Sequence, residues 1–381
     1  MRKALAVAAA VVGTLAIPSH AVSGSSAATA PLPRISAAAW YLVGEDDSVL
    51  AQHNARDRRP IASITKLMTA VVTIEHARLS DVVTVGAVAA DVGESTVFLR
   101  PGERLSVADL LRGMLVRSAN DAAEALALHV GAGSASRFVK LMNQKARELG
   151  LADTTFVNPH GLDAPGHLSS ARDTTLLARY ALGIPFIRDT LDRSVVVLPG
   201  GRVFPTTDDL LDAWPPLVGG KTGHTAGAGW SEAAAARRGG VTVYGSVLGS
   251  GSRSARNDAL HVLLDYGLGR YLQVAVVDRS RVYAEVETGF GRAPVELVAP
   301  RGLVRAIRAD TPLLERLVVP TSVSLPVARG SVLGSVEIYA GSRLVATSRL
   351  VAADDVTEPG VVGKVIWYSR RTVHHLWGLV T

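Results

Sequence analysis

A hydroxyl and an amine three residues apart, Ser63 and Lys66, open the apolar stretch Pro60-Ile-Ala-Ser-Ile-Thr-Lys-Leu-Met-Thr-Ala70. Residues at that spacing share one face of a helix. A helix starting near Ser63 therefore sets a nucleophile beside its own base, with no histidine needed. The same serine would also serve as a plain helix N-cap, and Ser-x-x-Lys alone is a weak motif. Two further clusters lie downstream. Ser118-Ala119-Asn120 sits in a turn just ahead of a helical run, free to point into a cleft. Lys221-Thr222-Gly223-His224 follows Pro215-Pro216. Gly220-Lys221-Thr222 resembles the end of a phosphate loop, but that motif needs a glycine where Pro215 stands, and no strand pattern leads in. Nucleotide binding is not expected.

Lysine occurs only at 3, 66, 140, 145, 221 and 364, in a chain whose basic residues are otherwise arginine. An amine that must lose or relay a proton cannot be replaced by a guanidinium, so Lys66 and Lys221 draw notice. The formal net charge is +6. That suits anionic partners such as acidic lipid or wall polymer. No dense Lys/Arg run is present, so nucleic acid is not expected as a partner. The absence of cysteine excludes disulfides, zinc–thiolate sites and cysteine nucleophiles. His160, His167 and Asp163 or Asp173 could be pictured around a metal. No His-x-x-x-His helix supports that picture, and neither metal nor cofactor is expected.

The elements that must position these groups follow from hydrophobic patterning. Met1-Arg-Lys3, an apolar run over 4–17 and Ser19-His20-Ala21 form a signal-peptide pattern over residues 1–21, too short for a comfortable span. Residues 38–51 read as a β-hairpin. Helices are expected over 63–77, 106–115, 121–130, 137–150, 174–182 and 254–268, with Asp121 and Glu124 as a capping box. Strands are expected over 229–236 and 241–248. From 271 the chain changes to short apolar or alternating segments at 274–277, 295–298, 323–327, 336–339 and 344–347, the mark of a small β-sandwich or barrel. At the end, Val362, Val365, Ile366, Ser369, Val373, Leu376, Trp377 and Val380 fall in one helical stripe, with Lys364, Arg371 and His375 opposite. Such a helix suits a membrane surface, and its charges argue against a span.

Taken in order after an export signal, Ser63-x-x-Lys66, Ser118-x-Asn120 and Lys221-Thr222-Gly223 resemble the penicillin-binding proteins and serine β-lactamases. The likeness is nearest to the low-molecular-mass, serine-type D-alanyl-D-alanine carboxypeptidases, through residues 60–70, 115–125, 156–162 and 220–229. The resemblance implies an α/β (α+β) catalytic domain over 35–269, then a small all-β domain over 271–357 and an amphipathic helix over 361–381. It implies an exported enzyme on the outer face of the cytoplasmic membrane, held there by that helix. Its substrate would be the peptidoglycan stem pentapeptide, from which it removes the terminal D-alanine, and β-lactams would inhibit it.

By the same resemblance Ser63 is the nucleophile, Lys66 its base and Ser118 the proton relay. Asn120 binds the substrate amide and positions Lys66, and Lys221 is the second cation, lowering the Lys66 pKa. The backbone N–H groups of Ser63 and His224 form an oxyanion hole. Gly223 lets an extended peptide lie alongside, while Thr222 and Arg256 meet the terminal carboxylate. Arg253 lies close enough to substitute for Arg256. The middle motif is Ser-Ala-Asn rather than Ser-Asp-Asn, and no Glu-x-x-x-Asn motif lies between 120 and 221 to activate a deacylating water. That favours a peptidase inhibited by β-lactams over a β-lactamase. The same residues would also serve a DD-endopeptidase, and a wall-binding scaffold would keep the fold while being catalytically silent.

Overall fold

The computed structural model describes residues 10–16 and 31–377. The chain divides into two units, 30–270 and the remainder.

The first unit is built on a five-stranded antiparallel sheet. Its spatial order is Val49–His53, Ala39–Gly44, Val241–Ser250, Gly229–Arg238, Leu217–Thr225. Ala39–Gly44 is buried at every position, which requires cover on both faces. Alternation along the neighbouring strand shows how this is met. Gly245 faces Leu264 of the Arg253–Gly269 helix and Leu42. The next residue, Ser246, meets Thr174 and Thr175 of the Ala171–Leu182 helix at 3.1 and 2.8 Å. The two helices therefore sandwich the sheet.

A helical layer completes the unit: Lys66–His76, Val107–Val116, Asn120–Val130 and Ala135–Glu148. Leu67, Met68, Leu110, Leu111, Met114, Leu126 and Phe138 belong to its core. Caps set several boundaries. Ser106 accepts from Asp109 N–H at 3.1 Å, so that helix begins at Val107. Ser170 accepts from Asp173 N–H at 3.2 Å, and its helix begins at Ala171, three residues before the expected start.

Three expectations need correction. The helix expected from 63 is two pieces, a 3-10 turn over Ala62–Thr65 and an α-helix from Lys66. The capping box of Asp121 and Glu124 does not form, because the N-cap is Ala119. Asp121 instead accepts the N–H groups of Val97, Leu99 and Ala122. The segment after Pro216, read as lacking strand pattern, is the strand Leu217–Thr225. Its glycines hide the alternation on which a strand is recognised.

In the second unit a seven-stranded sheet and the Tyr271–Val277/Leu303–Arg308 pair enclose an apolar core that includes Val277, Val286, Leu297, Val336, Ile338 and Leu350. Strands Val282–Thr288, Leu303–Arg308 and Leu313–Pro320 were not anticipated, and of the expected 323–327 segment only Val323 lies in one, the short strand Ser322–Val323. Buried Glu315 is satisfied by both terminal nitrogens of Arg281, at 2.7 and 3.0 Å. Of the expected leader, Ala10–Ala16 runs antiparallel to Leu313–Pro320, and the rest of residues 1–21 lies outside the described residues.

The last helix is Val361–Trp377. Trp367 meets Phe290 edge to face at 5.4 Å, and Lys364 Nζ lies 5.3 Å over the Phe290 ring. Val362, Val365 and Ile366 are left 73%, 58% and 50% exposed. Lys364 and Trp367 thus meet Phe290, and the near end of the apolar stripe is uncovered. The side chains of Val373, Leu376 and Trp377, and all of Val380, lie outside the described residues. Among the described residues, no helix is long and apolar enough to cross a membrane.

Candidate active site

Ser63 sits on the Ala62–Thr65 turn, and the backbone there is unusual. Ala62 has φ +48°, a strained value for a residue with a side chain. Gly161 and Gly223 close on this turn from two sides. A Cβ on Gly161 (φ +92°) would lie 2.0 Å from the Ala62 carbonyl oxygen, and one on Gly223 would lie 2.7 Å from that of Ile61 and 3.1 Å from Ser63 N. Only glycine permits this approach. The turn projects Ser63 into an open cleft of about 530 Å³, also lined by Ser118, Asn120, Thr222, Gly223 and Arg256. A cleft of that size accommodates a short peptide.

Lys66 is fully buried. Its Nζ lies 2.8 Å from Ser63 Oγ, 2.6 Å from Asn120 Oδ1 and 2.7 Å from the His160 carbonyl oxygen. The Asn120 amide is oriented by its Nδ2, which donates to Gly93 O at 3.0 Å. Asn120 Oδ1 and His160 O can only accept. A neutral amine has two N–H groups and one lone pair. If the two hydrogens go to those oxygens, the lone pair is left toward Ser63. Burial, followed by the charge of Lys221, drives the Lys66 pKa well below that of a free lysine. The arrangement can take a proton from Ser63.

Ser118 has φ +66° and lies on the cleft wall, between the Val107–Val116 helix and Asn120. Lys221 lies on the Leu217–Thr225 strand, which forms one edge of the sheet and can receive an extended chain on its free side. Its Nζ donates to Thr222 O at 2.8 Å, and burial brings its pKa down to about 7. Thr222 Oγ1 is 2.8 Å from Thr207 Oγ1. His224 lines the cleft with its ring against Trp230, centroids 4.0 Å apart.

Arg256 and Arg253 both border the cleft but are placed differently. Arg256 is 1% exposed, with Nε 3.1 Å from Glu232 Oε2 and 3.0 Å from Asn257 Oδ1. Arg253 is an exposed rim residue paired with Asp209. Arg256 is the fixed guanidinium of the pair.

The residues pictured around a metal have separate tasks. His167 Nδ1 accepts Val157 N–H at 3.1 Å, so Nε2 carries the hydrogen and donates to Thr65 Oγ1 at 2.8 Å. Asp163 accepts from Thr225 Oγ1 and Gly227 N–H, bracing the turn beyond the motif strand. Asp173 accepts Asp153 N–H at 2.7 Å. Burial lowers the pKa of His160 to about 3 and of His167 to about 4, so both are neutral at ordinary pH.

Sequence reasoning missed Thr207, Asp208 and Glu232. Glu232 carried a signal: it is the sole charge in Trp230-Ser-Glu-Ala-Ala-Ala-Ala236, and strand pairing sets it opposite Thr222. Asp208 and Thr207 come from a loop, where no periodicity points inward.

A sequence profile of the D-alanyl-D-alanine carboxypeptidase family matches residues 25–252. The chain is 33% identical over 377 residues to D-alanyl-D-alanine carboxypeptidase DacC of Escherichia coli (strain K12), covering 92% of this chain and 91% of that protein. Among solved structures, penicillin-binding protein 5 from Haemophilus influenzae superposes with a TM-score of 0.63 at 28% identity, covering 86% of this chain and all of that one. The Streptomyces K15 DD-transpeptidase superposes with a TM-score of 0.60 at 30% identity, over 63% of this chain and 99% of that one.

Proposed function

Since the chain belongs to the D-alanyl-D-alanine carboxypeptidase family, we propose that it is an exported serine-type DD-carboxypeptidase that removes the terminal D-alanine from peptidoglycan stem pentapeptides. The observation that carries this reading is the Lys66 amine, buried and in hydrogen-bond contact with Ser63 Oγ, Asn120 Oδ1 and His160 O.

In this mechanism Ser63 Oγ attacks the carbonyl carbon of the penultimate D-alanine while its proton passes to Lys66 Nζ. The oxyanion forms between the N–H groups of Ser63 and His224. Asn120 holds the substrate amide, and Thr222, Lys221 and Arg256 hold the terminal carboxylate. The C–N bond breaks as Lys66, through Ser118, returns the proton to the leaving amine. Water then attacks the Ser63 ester, giving its proton to Lys66, which passes it to Ser63 Oγ as the Oγ–C bond breaks and the shortened peptide leaves. A β-lactam would follow the first half: its ring C–N bond opens onto Ser63, and the leaving nitrogen stays tethered. We further propose that the uncovered apolar stripe of the Val361–Trp377 helix rests on the outer face of the cytoplasmic membrane.

The test is release of D-alanine from a D-Ala-D-Ala-terminated stem peptide, with Ser63→Ala as control. Release by the parent alone supports the assignment. Penicillin labelling that survives in Ser63→Ala would remove Ser63 from its role. Rapid turnover of nitrocefin would indicate a β-lactamase.

A further inference from the structure

Behind the carboxylate-binding wall lie two acidic side chains that take no part in the acyl transfer. Glu232 is 0% exposed and Asp208 3%. Thr207 Oγ1 bonds Thr222 Oγ1, and Thr222 is the strand partner of Glu232, so the residue next to Thr207, Asp208, is brought to Glu232. The two carboxyls interact with each other and with Lys221 and Arg256, each of which is 1% exposed. Arg256 Nε is 3.1 Å from Glu232 Oε2. A Cβ on Gly220 would stand 2.9 Å from Glu232 Oε1, so the carboxyl fills the space that this glycine leaves open. Among the described residues, Oε1 of Glu232 and Oδ2 of Asp208 have no hydrogen-bond donor, and Oε2 of Glu232 is held only by its ion pair with Arg256. Asp208 Oδ1 accepts from Leu210 N–H at 3.0 Å.

Two ionised carboxylates cannot rest against each other in a dry interior with two oxygens lacking donors and a third held only by an ion pair. One proton between them turns the repulsive contact into an O–H···O hydrogen bond. The count of charge then has a consequence. The pair carries −1 and the two cations +2, leaving +1 for one substrate carboxylate. With both acids ionised the wall would be neutral and have nothing to offer. With both protonated, two cations would be buried without a counter-ion.

We propose that Asp208 and Glu232 share a single proton and together form a positioning pair, holding Lys221 and Arg256 charged and aimed at the substrate's terminal carboxylate. Burial raises the pKa of both acids, and for Glu232 the charge of Asp208 adds to it. The groups facing the pair are Lys221 and Arg256. Both acids in turn support the charge of Lys221 against the burial that lowers it.

The kinetic arm rests on the carboxypeptidase reading; the spectroscopic arm does not. Infrared difference spectra at neutral pH, full chain minus Glu232→Gln and full chain minus Asp208→Asn, read the protonated-carboxyl band directly. Other buried acids cancel in the difference. The band is expected in the parent and lost in each single variant, because the remaining carboxyl ionises beside Arg256. Its presence in neither difference overturns the proposal.

The second arm is the pH dependence of kcat/KM for the D-Ala-D-Ala peptide. Each single variant keeps one negative charge and is expected to lose about threefold, as for one hydrogen bond. Asp208→Asn/Glu232→Gln loses the charge altogether, and its alkaline limb should fall by about 1–3 pH units. A shift already half complete in each single variant would mean that both acids are ionised, and would overturn the proposal. If the double variant does not fold, the single-variant spectra decide. If the parent releases no D-alanine, the carboxypeptidase reading fails while the spectra still test the shared proton.

Discussion

Asn120→Asp is the sharpest test of a neutral Lys66. The substitution is nearly isosteric, and it replaces an uncharged acceptor 2.6 Å from Nζ with a carboxylate. An opposite charge at such range raises an amine pKa by about 1–3 units. The acid limb of acylation should move up by that amount. At a pH below both limbs the rate should fall by about 10- to 1000-fold, since each unit is tenfold in the fraction of free base. A second loss is independent of pH. Asp cannot donate to Gly93 O as Asn120 Nδ2 does, and losing that hydrogen bond costs about 0.5–1.5 kcal/mol. Asn120→Ala is the uncharged reference: it removes the same donor, and the acceptor for Lys66 with it, without adding charge. The assay is the second-order rate of labelling by a fluorescent penicillin across pH for the three proteins. Asn120→Asp should recover toward the Asn120→Ala rate as pH rises. A uniformly scaled profile with an unmoved limb would refute the idea that Lys66 works as a free amine.

Gly223→Ala forces a methyl to within 2.7 Å of Ile61 O and 3.1 Å of Ser63 N; displacing that N–H should cost kcat about 10²–10³, and an unchanged labelling rate would show that the strand has room to give. His160 and His167 hold folded pKa values of about 3 and about 4. In the unfolded chain they protonate near 6.5, so folding stability is intact above that pH and drains as pH falls below it, by roughly 3 kcal/mol each at pH 4. Urea titrations from pH 7 to 4 measure this, and a flat dependence would mean that the two rings are not buried neutral. Ile366→Glu, on the uncovered side of the last helix, should weaken binding to anionic lipid vesicles about tenfold or more while leaving D-alanine release from soluble peptide intact; equal vesicle binding would point to another contact.

What was legible in the sequence was chemical type at fixed spacing. Ser63, Lys66, Ser118, Asn120, Lys221, Thr222, Gly223, His224 and Arg256 all come to the cleft or its wall, because short motifs carry their local geometry with them. The strand holding Lys221 was not legible as a strand, since Gly219, Gly220 and Gly223 contribute no side chain to an alternating pattern. Those same glycines serve tertiary contacts, with Leu191, Glu232 and Ile61 respectively. A pattern rule assumes that side chains report the face, and here their absence is what lets neighbours close in. Asp121 failed in the opposite way. It has a cap's residue type and spacing, yet a long-range demand, the N–H groups of Val97 and Leu99, claims its carboxylate. Capping is worth about 1 kcal/mol, less than leaving two buried donors unmet.

The two buried lysines show why spacing alone could not assign charge. Lys66 and Lys221 are both inside, near enough that the charge of Lys221 lowers the pKa of Lys66. Only one can be neutral if the cleft is to hold both a base and a carboxylate site. The surroundings divide the roles. Lys66 touches a hydroxyl, an amide oxygen and a backbone carbonyl, all uncharged, which gives an ammonium no counter-ion in contact. Lys221 has Asp208 and Glu232 behind it, both raising its pKa against the burial that lowers it. A cation at Lys221 then pushes Lys66 further toward the free amine. The acids behind the wall and the base in front of it are thus one electrostatic system, in which removing charge at Glu232 and Asp208 should be felt at Ser63 without either acid touching it.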